Sequence, residues 1–204
     1  MDYQKIKSNA KEKIKGNLGI LWQALGLIVI GNVMLEVIFQ IMTPESILAT
    51  YVNLILSILI LPLSFGVNAY FLKFVRKEEA TFQIIFNYYK KIIPIFLLSM
   101  LVSIFTILWS FLFIIPGVIA AISYTMSTFI FIDGEDDAIN CISKSKKMMN
   151  GYKANYFMFC LSFVGWFLLG ALTLGILYIW VLPYFYTSNV LYYEEIKKIN
   201  QSNN

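Results

Sequence analysis

The side chains that most often carry out acid–base and metal chemistry are scarce in this chain of 204 residues. It has no histidine, which is the commonest general base and the commonest metal ligand. Its two cysteines, Cys141 and Cys160, are too far apart to match a paired-ligand motif. Without histidine, no Ser–His or Cys–His pair can activate a nucleophile. The sequence therefore predicts that the protein is not an enzyme, and that it uses no metal and no other cofactor.

One ionisable side chain, Glu36, lies well inside a long apolar stretch. A carboxylate within a membrane is costly, so such a residue is a candidate functional site. Two interpretations compete: a contact with another helix or with the membrane interface, and an ion or proton site. The other candidate intramembrane polar or hinge positions are Asn32, Asn53, Asn68, Pro62, Pro116, Gly117 and Pro183.

The segment Asp133-Gly134-Glu135-Asp136-Asp137 is strongly acidic. Clustered oxygens suit Mg²⁺ or Ca²⁺, but the spacing matches no known loop for either ion. Carboxylates also favour the beginning of a helix and lysines favour its end. Because lysines follow this segment at the expected distance, we interpret it as the cap of a helix. Candidate membrane-surface basic positions are Lys144, Lys146, Lys147 and Lys153.

The elements that must position these residues are helices in a membrane. Hydrophobic residues make up 59% of the chain and charged residues 14%, whereas a soluble domain has about 25% charged residues. Apolar stretches cover Leu18–Met42 and Ile47–Phe74, and no charge occurs in Ile92–Ile132 or in Tyr156–Tyr193. A spanning helix needs about 20 residues, so each of the last two stretches accommodates two helices. We predict an all-α, polytopic bundle of six transmembrane helices in three hairpins.

The basic residues support this count. All 16 Lys and Arg residues lie within residues 5–15, 73–91, 144–153 and 197–198. The six-span arrangement places all of them on one side, which the positive-inside rule makes cytoplasmic, together with both termini. The outer turns would lie at Thr43–Ser46, near Trp109 and near Thr173.

Three basic segments precede or separate the hairpins, and each is predicted to form a cytoplasmic amphipathic helix. Their apolar stripes include Ile6, Ala10 and Ile14 in the first, Ile85 in the second and Ile142 in the third. Such helices lie in the interface and bind anionic headgroups. The plan suggests a single integral membrane domain, 1–204, with repeats at 1–75, 76–133 and 134–204. Independent hairpins under the same lipid constraints are the alternative.

The C-terminal half contains a long ordered series of motifs. They are Leu108-Trp109-Ser110, Ile114-Ile115-Pro116-Gly117, Met149-Asn150-Gly151-Tyr152-Lys153, Leu161-Ser162-Phe163-Val164-Gly165-Trp166 and Leu182-Pro183-Tyr184. This series resembles the bacterial integral membrane family called domain of unknown function 975 (DUF975). The resemblance implies a multi-pass protein of the bacterial cytoplasmic membrane and gives no reaction.

Two functions are compatible with these features. The first is binding of a membrane-protein or peptide partner, or of anionic lipid at the cytoplasmic face, in an accessory, assembly or self-protection role. The second is a small transporter or lipid translocator with a site between the hairpin repeats. Transport predicts a polar cavity at the midplane, whereas binding predicts a dry, closely packed centre. The dispersed lysines indicate lipid contact and no nucleic-acid binding.

Overall fold

A computed structural model describes residues 1–41 and 47–202, which form α-helices and contain no strand. The helices are α1 (Tyr3–Ile14), α2 (Leu18–Ile41), α3 (Ile47–Arg76), α4 (Gln83–Asn87), α5 (Ile92–Leu112), α6 (Ile114–Tyr124), α7 (Ser127–Ile132), α8 (Ala138–Met148), α9 (Lys153–Leu172) and α10 (Tyr178–Ser202). The prediction of an all-helical protein is confirmed for these ranges. The predicted first outer turn, Thr43–Ser46, lies outside the described residues.

Within residues 1–41 and 47–202, five helical stretches are long and apolar enough to cross a membrane. They are Leu18–Ile41, Thr50–Arg76, Gln83–Leu112, Ile114–Ile132 and Lys153–Leu172. The sixth predicted span falls in α10, which is not among the five. Its last part carries Glu194, Glu195, Lys197 and Lys198, and this shortens its uncharged portion. Consecutive helices contact each other in the pairs α2–α3, α5–α6 and α9–α10. The six-span count and the hairpin topology remain predictions.

Helix α1 is held by the protein along its apolar side. Asp2 caps it, since the carboxylate accepts a hydrogen bond from the backbone N–H of Gln4 at 2.9 Å. Ile6, Ala10 and Ile14 are buried, and α1 contacts both α9 and α10. The stripe that we expected to enter the lipid interface is therefore covered by other helices.

Two lysines of α1 reach neighbouring helices. Lys7 Nζ donates to Ser162 Oγ in α9 at 2.9 Å and lies 4.3 Å from the centre of the Phe163 ring. Lys13 Nζ donates to the carbonyl oxygen of Val75 in α3 at 3.2 Å. Helix α1 thus connects the C-terminal end of α3 to α9 and α10.

The second predicted amphipathic segment is short in the structure. Helix α4 covers five residues, and a 3₁₀ turn at Tyr88–Lys91 joins it to α5. Ile85 is buried against α3, while Phe82 and Phe86 are exposed and lie against each other, with ring centres 5.7 Å apart. In this segment only part of the predicted stripe therefore faces the protein.

The prolines occupy two kinds of position. Pro62 and Pro183 are buried inside α3 and α10, as the sequence predicts. Pro116 instead lies in the first turn of α6, because the chain turns at Phe113, where the backbone is extended (φ −163°, ψ 153°). A backbone N–H in the first turn has no partner within its own helix, so proline costs little there. Pro116 therefore lies at the beginning of the candidate span Ile114–Ile132 and not in its interior, and its role as a hinge stays a prediction.

Candidate functional site

The acidic segment after α7 is neutralised by basic residues from several parts of the chain. Asp137 caps α8, and its carboxylate accepts a hydrogen bond from the N–H of Asn140 at 2.7 Å. Asp136 pairs with Lys91 at 2.6 Å, and Glu135 pairs with Lys144. Within residues 1–41 and 47–202, no group of three or more Asp, Glu, Cys or His residues could hold a metal ion. The arrangement fits a helix cap with ion pairs.

Asp133 is the centre of a network that joins α3, α7 and α10. Arg76 Nη1 lies 2.8 Å from Asp133 Oδ1, and the Tyr193 hydroxyl donates to Oδ2 at 2.7 Å. Lys197 also donates to this carboxylate. Arg76 contacts Glu194 as well, with Nη2 at 2.7 Å from Oε1. One guanidinium therefore links two carboxylates from different helices.

The protonation of Asp133 follows from these contacts. Its side chain is 15% exposed, and this partial burial acts to raise the pKa of the carboxyl group. Hydrogen bonds from Arg76, Lys197 and Tyr193 outweigh burial, so the pKa lies below its ordinary value. Asp133 is therefore ionised at neutral pH.

A second cluster, which we call the basic pocket, lies where α8 is followed by α9. Its residues are Ser143, Lys146, Lys147, Asn150 and Lys153, around a cavity of about 400 Å³. Gly151 adopts a φ of 81°, which L-residues with a side chain rarely accept, and it lets the chain reverse between the two helices. The turn brings Lys153 beside the lysines of α8. No carboxylate belongs to the lining.

Lys144 does not belong to the basic pocket. It faces the acidic segment and pairs with Glu135, which leaves Lys146, Lys147 and Lys153 as the predicted surface lysines that converge. Three ammonium groups, a hydroxyl and an amide line this cavity, although Lys147 also lines a neighbouring cavity that contains Asp133 and Glu135. This set can hold an anionic oxygen group such as a phosphate.

Two apolar grooves meet the basic pocket at Lys153. The first, of about 480 Å³, lies between α6 and α9 and is lined by Ile115, Val118, Ile119, Ile122 and Phe157 among others. The second, of about 320 Å³, lies between α5 and α6 and also reaches Lys146; Trp109, Pro116 and Ile119 are in its lining. Ile119 thus faces both grooves. Together the three cavities offer one charged end and two apolar channels.

The close approach of α5 and α6 depends on Gly117. A Cβ atom there would overlap the Ser110 hydroxyl and lie 2.8 Å from Ser110 Cα. Gly117 is therefore a packing position between helices, and its role as a hinge stays a prediction.

The predicted intramembrane polar residues do not come together. Glu36 and Asn32 are exposed on α2. Asn68 Nδ2 donates to the carbonyl oxygen of Ser64 at 2.8 Å. The Ser57 hydroxyl donates to the backbone carbonyl oxygen of Asn53 at 2.8 Å and lies 3.4 Å from Asn53 Oδ1, again within α3. These four side chains do not form the shared midplane site that transport would predict.

Several residues of the site were not found from the sequence. Ser143 and Asn150 carry no distinctive signal, because polar residues are common beside lysines. Arg76 could have been identified, since it is the one arginine in the chain and follows a long apolar stretch.

Burial raises the pKa of the Cys141 thiol to about 12, so the thiol remains neutral.

Comparison with known proteins finds one family model that matches part of the chain. A model of DUF975, described as a protein of unknown function, matches residues 113–200. This range contains α6 to α9 and therefore most of the basic pocket and grooves. No curated protein and no solved structure matches the chain. The match confirms the resemblance seen in the motifs: residues 113–200 are similar to the DUF975 family.

Proposed function

We propose that this protein is a non-enzymatic, multi-pass protein of the bacterial cytoplasmic membrane that binds an anionic phospholipid. The observation that carries the proposal is the basic pocket with its two apolar grooves. A phosphate would lie among Lys146, Lys147 and Lys153, and two acyl chains would follow α6. A lipid bound in this way would serve an accessory or assembly role towards other membrane components.

The proposal includes a topology. Six spans with both termini in the cytoplasm place the basic pocket at the inner leaflet, where anionic lipids attract basic segments. The 16 basic residues then share one side, as the positive-inside rule requires. The grooves follow α6 from the turn at Phe113 towards Lys153, so bound acyl chains would run along this helix.

Binding can be tested with purified protein and vesicles of phosphatidylcholine containing phosphatidylglycerol at a stated fraction. We expect the double variant Lys146→Gln/Lys153→Gln to lose roughly thirtyfold in affinity for the phosphatidylglycerol, because each lysine near an anionic surface contributes about 1 kcal/mol. The measurement is native mass spectrometry of retained lipid, supported by fluorescence titration.

A charge-matched control separates a site from general attraction. Lys15→Gln/Lys198→Gln removes the same charge at exposed lysines outside the basic pocket. It should retain most of the affinity. An equal loss in both double variants would contradict the proposal, since it would indicate diffuse surface charge only.

Ile119→Trp tests the apolar half of the site. The indole would fill both grooves, so lipid with full-length chains should bind weakly while a short-chain analogue still binds.

The alternative function, lipid translocation, predicts in addition that reconstituted protein moves labelled lipid between leaflets. Lipid movement that is blocked by Ile119→Trp would contradict the binding proposal and support translocation. Retention of a stoichiometric peptide in place of lipid would also contradict it.

A further inference from the structure

Three polar residues on α2 lie on the same side of the helix. Asn32, Glu36 and Gln40 recur at intervals of four positions, which places them one above another along the helix. All three are exposed, and the stretch Leu18–Ile41 is apolar enough to cross a membrane. We call this side of α2 the polar face.

The polar face is turned away from α3, the neighbour that contacts the outer part of α2. A Cβ atom at Gly31 would lie 3.7 Å from Ile60 and from Leu63, so α3 occupies a different side of α2. Among the described residues, the polar groups find partners only in their own helix. Asn32 Nδ2 donates to the carbonyl oxygen of Ile28 at 2.8 Å, and Gln40 Nε2 donates to Glu36 Oε1 at 3.2 Å.

Such a face is costly in contact with lipid. A carboxylate at the centre of a spanning helix costs about 3 kcal/mol on insertion scales, and Glu36, five residues before the end of α2, bears part of this cost. Hydrogen bonds between spanning helices offset the cost, which is why polar residues promote association in membranes. A partner that offers donors and acceptors at the same depth would therefore stabilise the polar face.

We infer that the polar face contacts the same face of a second copy of this chain. A second copy related by an axis along the membrane normal presents Asn32, Glu36 and Gln40 at matching depths without any further adjustment. Glu36 accepts hydrogen bonds only, but each amide nitrogen has a second N–H, so Asn32 and Gln40 of one copy can donate to the Glu36 carboxylate of the other, as a two-fold interface requires. Val29 and Val33, which are 37% and 56% exposed, lie beside the polar residues and supply apolar contact.

The inference is tested by disulfide formation in liposomes that contain the purified full chain. Val33→Cys lies three positions before Glu36, on the same side, whereas Met34→Cys is two positions away, on the opposite side. The two sites are almost equally exposed, at 56% and 58%. Mild oxidation should give covalent dimers for Val33→Cys and monomers for Met34→Cys. The wild-type chain, in which Cys141 is buried and Cys160 half-buried, sets the background.

The role of the polar groups is tested in the Val33→Cys chain. Glu36→Leu should weaken self-association about tenfold, because it removes the central hydrogen-bonding group. Glu36→Gln should retain the dimer, since the amide oxygen still accepts and the amide nitrogen adds donors. Monomers for Val33→Cys, equal dimers at both cysteine sites, or an unchanged dimer with Glu36→Leu would each overturn the inference. These results do not depend on lipid binding at the basic pocket, so the two proposals can fail separately.

Discussion

At the scale of single residues, Gly66 leaves room for one backbone to lie against another. It is buried in α3, where the short helix α4 crosses. A Cβ atom at Gly66 would lie 2.6 Å from Ile85 Cα and would overlap the Ile85 carbonyl oxygen. Because the obstructing atoms belong to the backbone, no side-chain rotation can relieve the clash.

We therefore expect Gly66→Ala to lower the free energy of unfolding by about 1–3 kcal/mol, the usual cost of overpacking. Thermal unfolding in detergent measures the effect. Gly26→Ala is the matched control, since a Cβ atom there meets nothing within 4 Å. It should leave stability unchanged or raise it slightly, because alanine favours helices. Equal midpoints of thermal unfolding for the two variants would contradict the prediction that α4 packs closely against Gly66.

Asp133 makes the stability of the folded protein depend on pH. Its pKa is lower in the folded protein than the ordinary value of 3.8, despite the opposing effect of partial burial. Such a carboxylate stabilises the fold at pH values above the unfolded-state pKa. The stabilisation is lost as the pH falls through the folded-state pKa.

We expect Asp133→Asn to reduce stability at pH 7 by about 2 kcal/mol, since hydrogen bonds to a charged group are lost. The variant should also lose less further stability than the wild type as the pH falls below 3.8. Unfolding in urea at a series of pH values measures both. Asp136→Asn, in an exposed ion pair with Lys91, should change little. Parallel pH curves for wild type and Asp133→Asn would refute this account.

At the scale of elements, α2 supplies a hydrogen-bond donor to a carbonyl group of α10 that lacks its usual partner within the helix. Pro183 has no N–H, so the carbonyl oxygen of Ile179 loses the hydrogen bond that a helix normally provides. Trp22 Nε1 donates to this oxygen at 2.6 Å. The indole of one helix thus completes the backbone hydrogen bonding of another.

This contact predicts a coupling between two substitutions. Trp22→Phe should cost about 1–3 kcal/mol beyond lost packing, because a carbonyl remains without a partner. With Pro183→Ala, the N–H of residue 183 satisfies Ile179, and the same Trp22→Phe change should cost less. A double-mutant cycle of unfolding free energies gives the difference. No coupling would mean that the indole only fills space.

The sequence predicts helices better than it predicts what covers them. The stripe of Ile6, Ala10 and Ile14 correctly indicates one apolar side of α1, but periodicity does not distinguish a cover of lipid from a cover of protein. Pro116 shows a similar limit. A turn within the uncharged stretch Ile92–Ile132 carries no polar signal, so the sequence could not show that Pro116 opens a helix. The basic pocket depends on a turn at Gly151 that brings separate helices together, and spacing along the chain does not reveal it.

At the scale of the whole molecule, the proposed topology places α10 across the membrane. Leu174 is 95% exposed in the turn between α9 and α10, while Ser8 and Ser202 lie near the two ends of the chain. With six spans, Leu174→Cys should react with an impermeant maleimide added outside intact cells. Ser8→Cys and Ser202→Cys should react only after the membrane is opened.

The same experiment distinguishes the alternative. If α10 does not cross the membrane, Leu174→Cys and Ser202→Cys lie on one side and react together. Ser8→Cys serves as the reference for the cytoplasmic side, because five lysines lie at residues 5–15. Joint labelling of positions 174 and 202 from outside would rule out six spans.

The ion pairs around the acidic segment also have a consequence for biosynthesis. A ribosome completes Arg76 and Lys91 before it adds Asp133 and Asp136, the carboxylates that later neutralise them. In the proposed topology, Arg76 and Lys91 would act on the orientation of the first helices before the acidic segment is synthesised. After its synthesis they form ion pairs with Asp133 and Asp136. The same residues would thus serve first in insertion and afterwards in assembly.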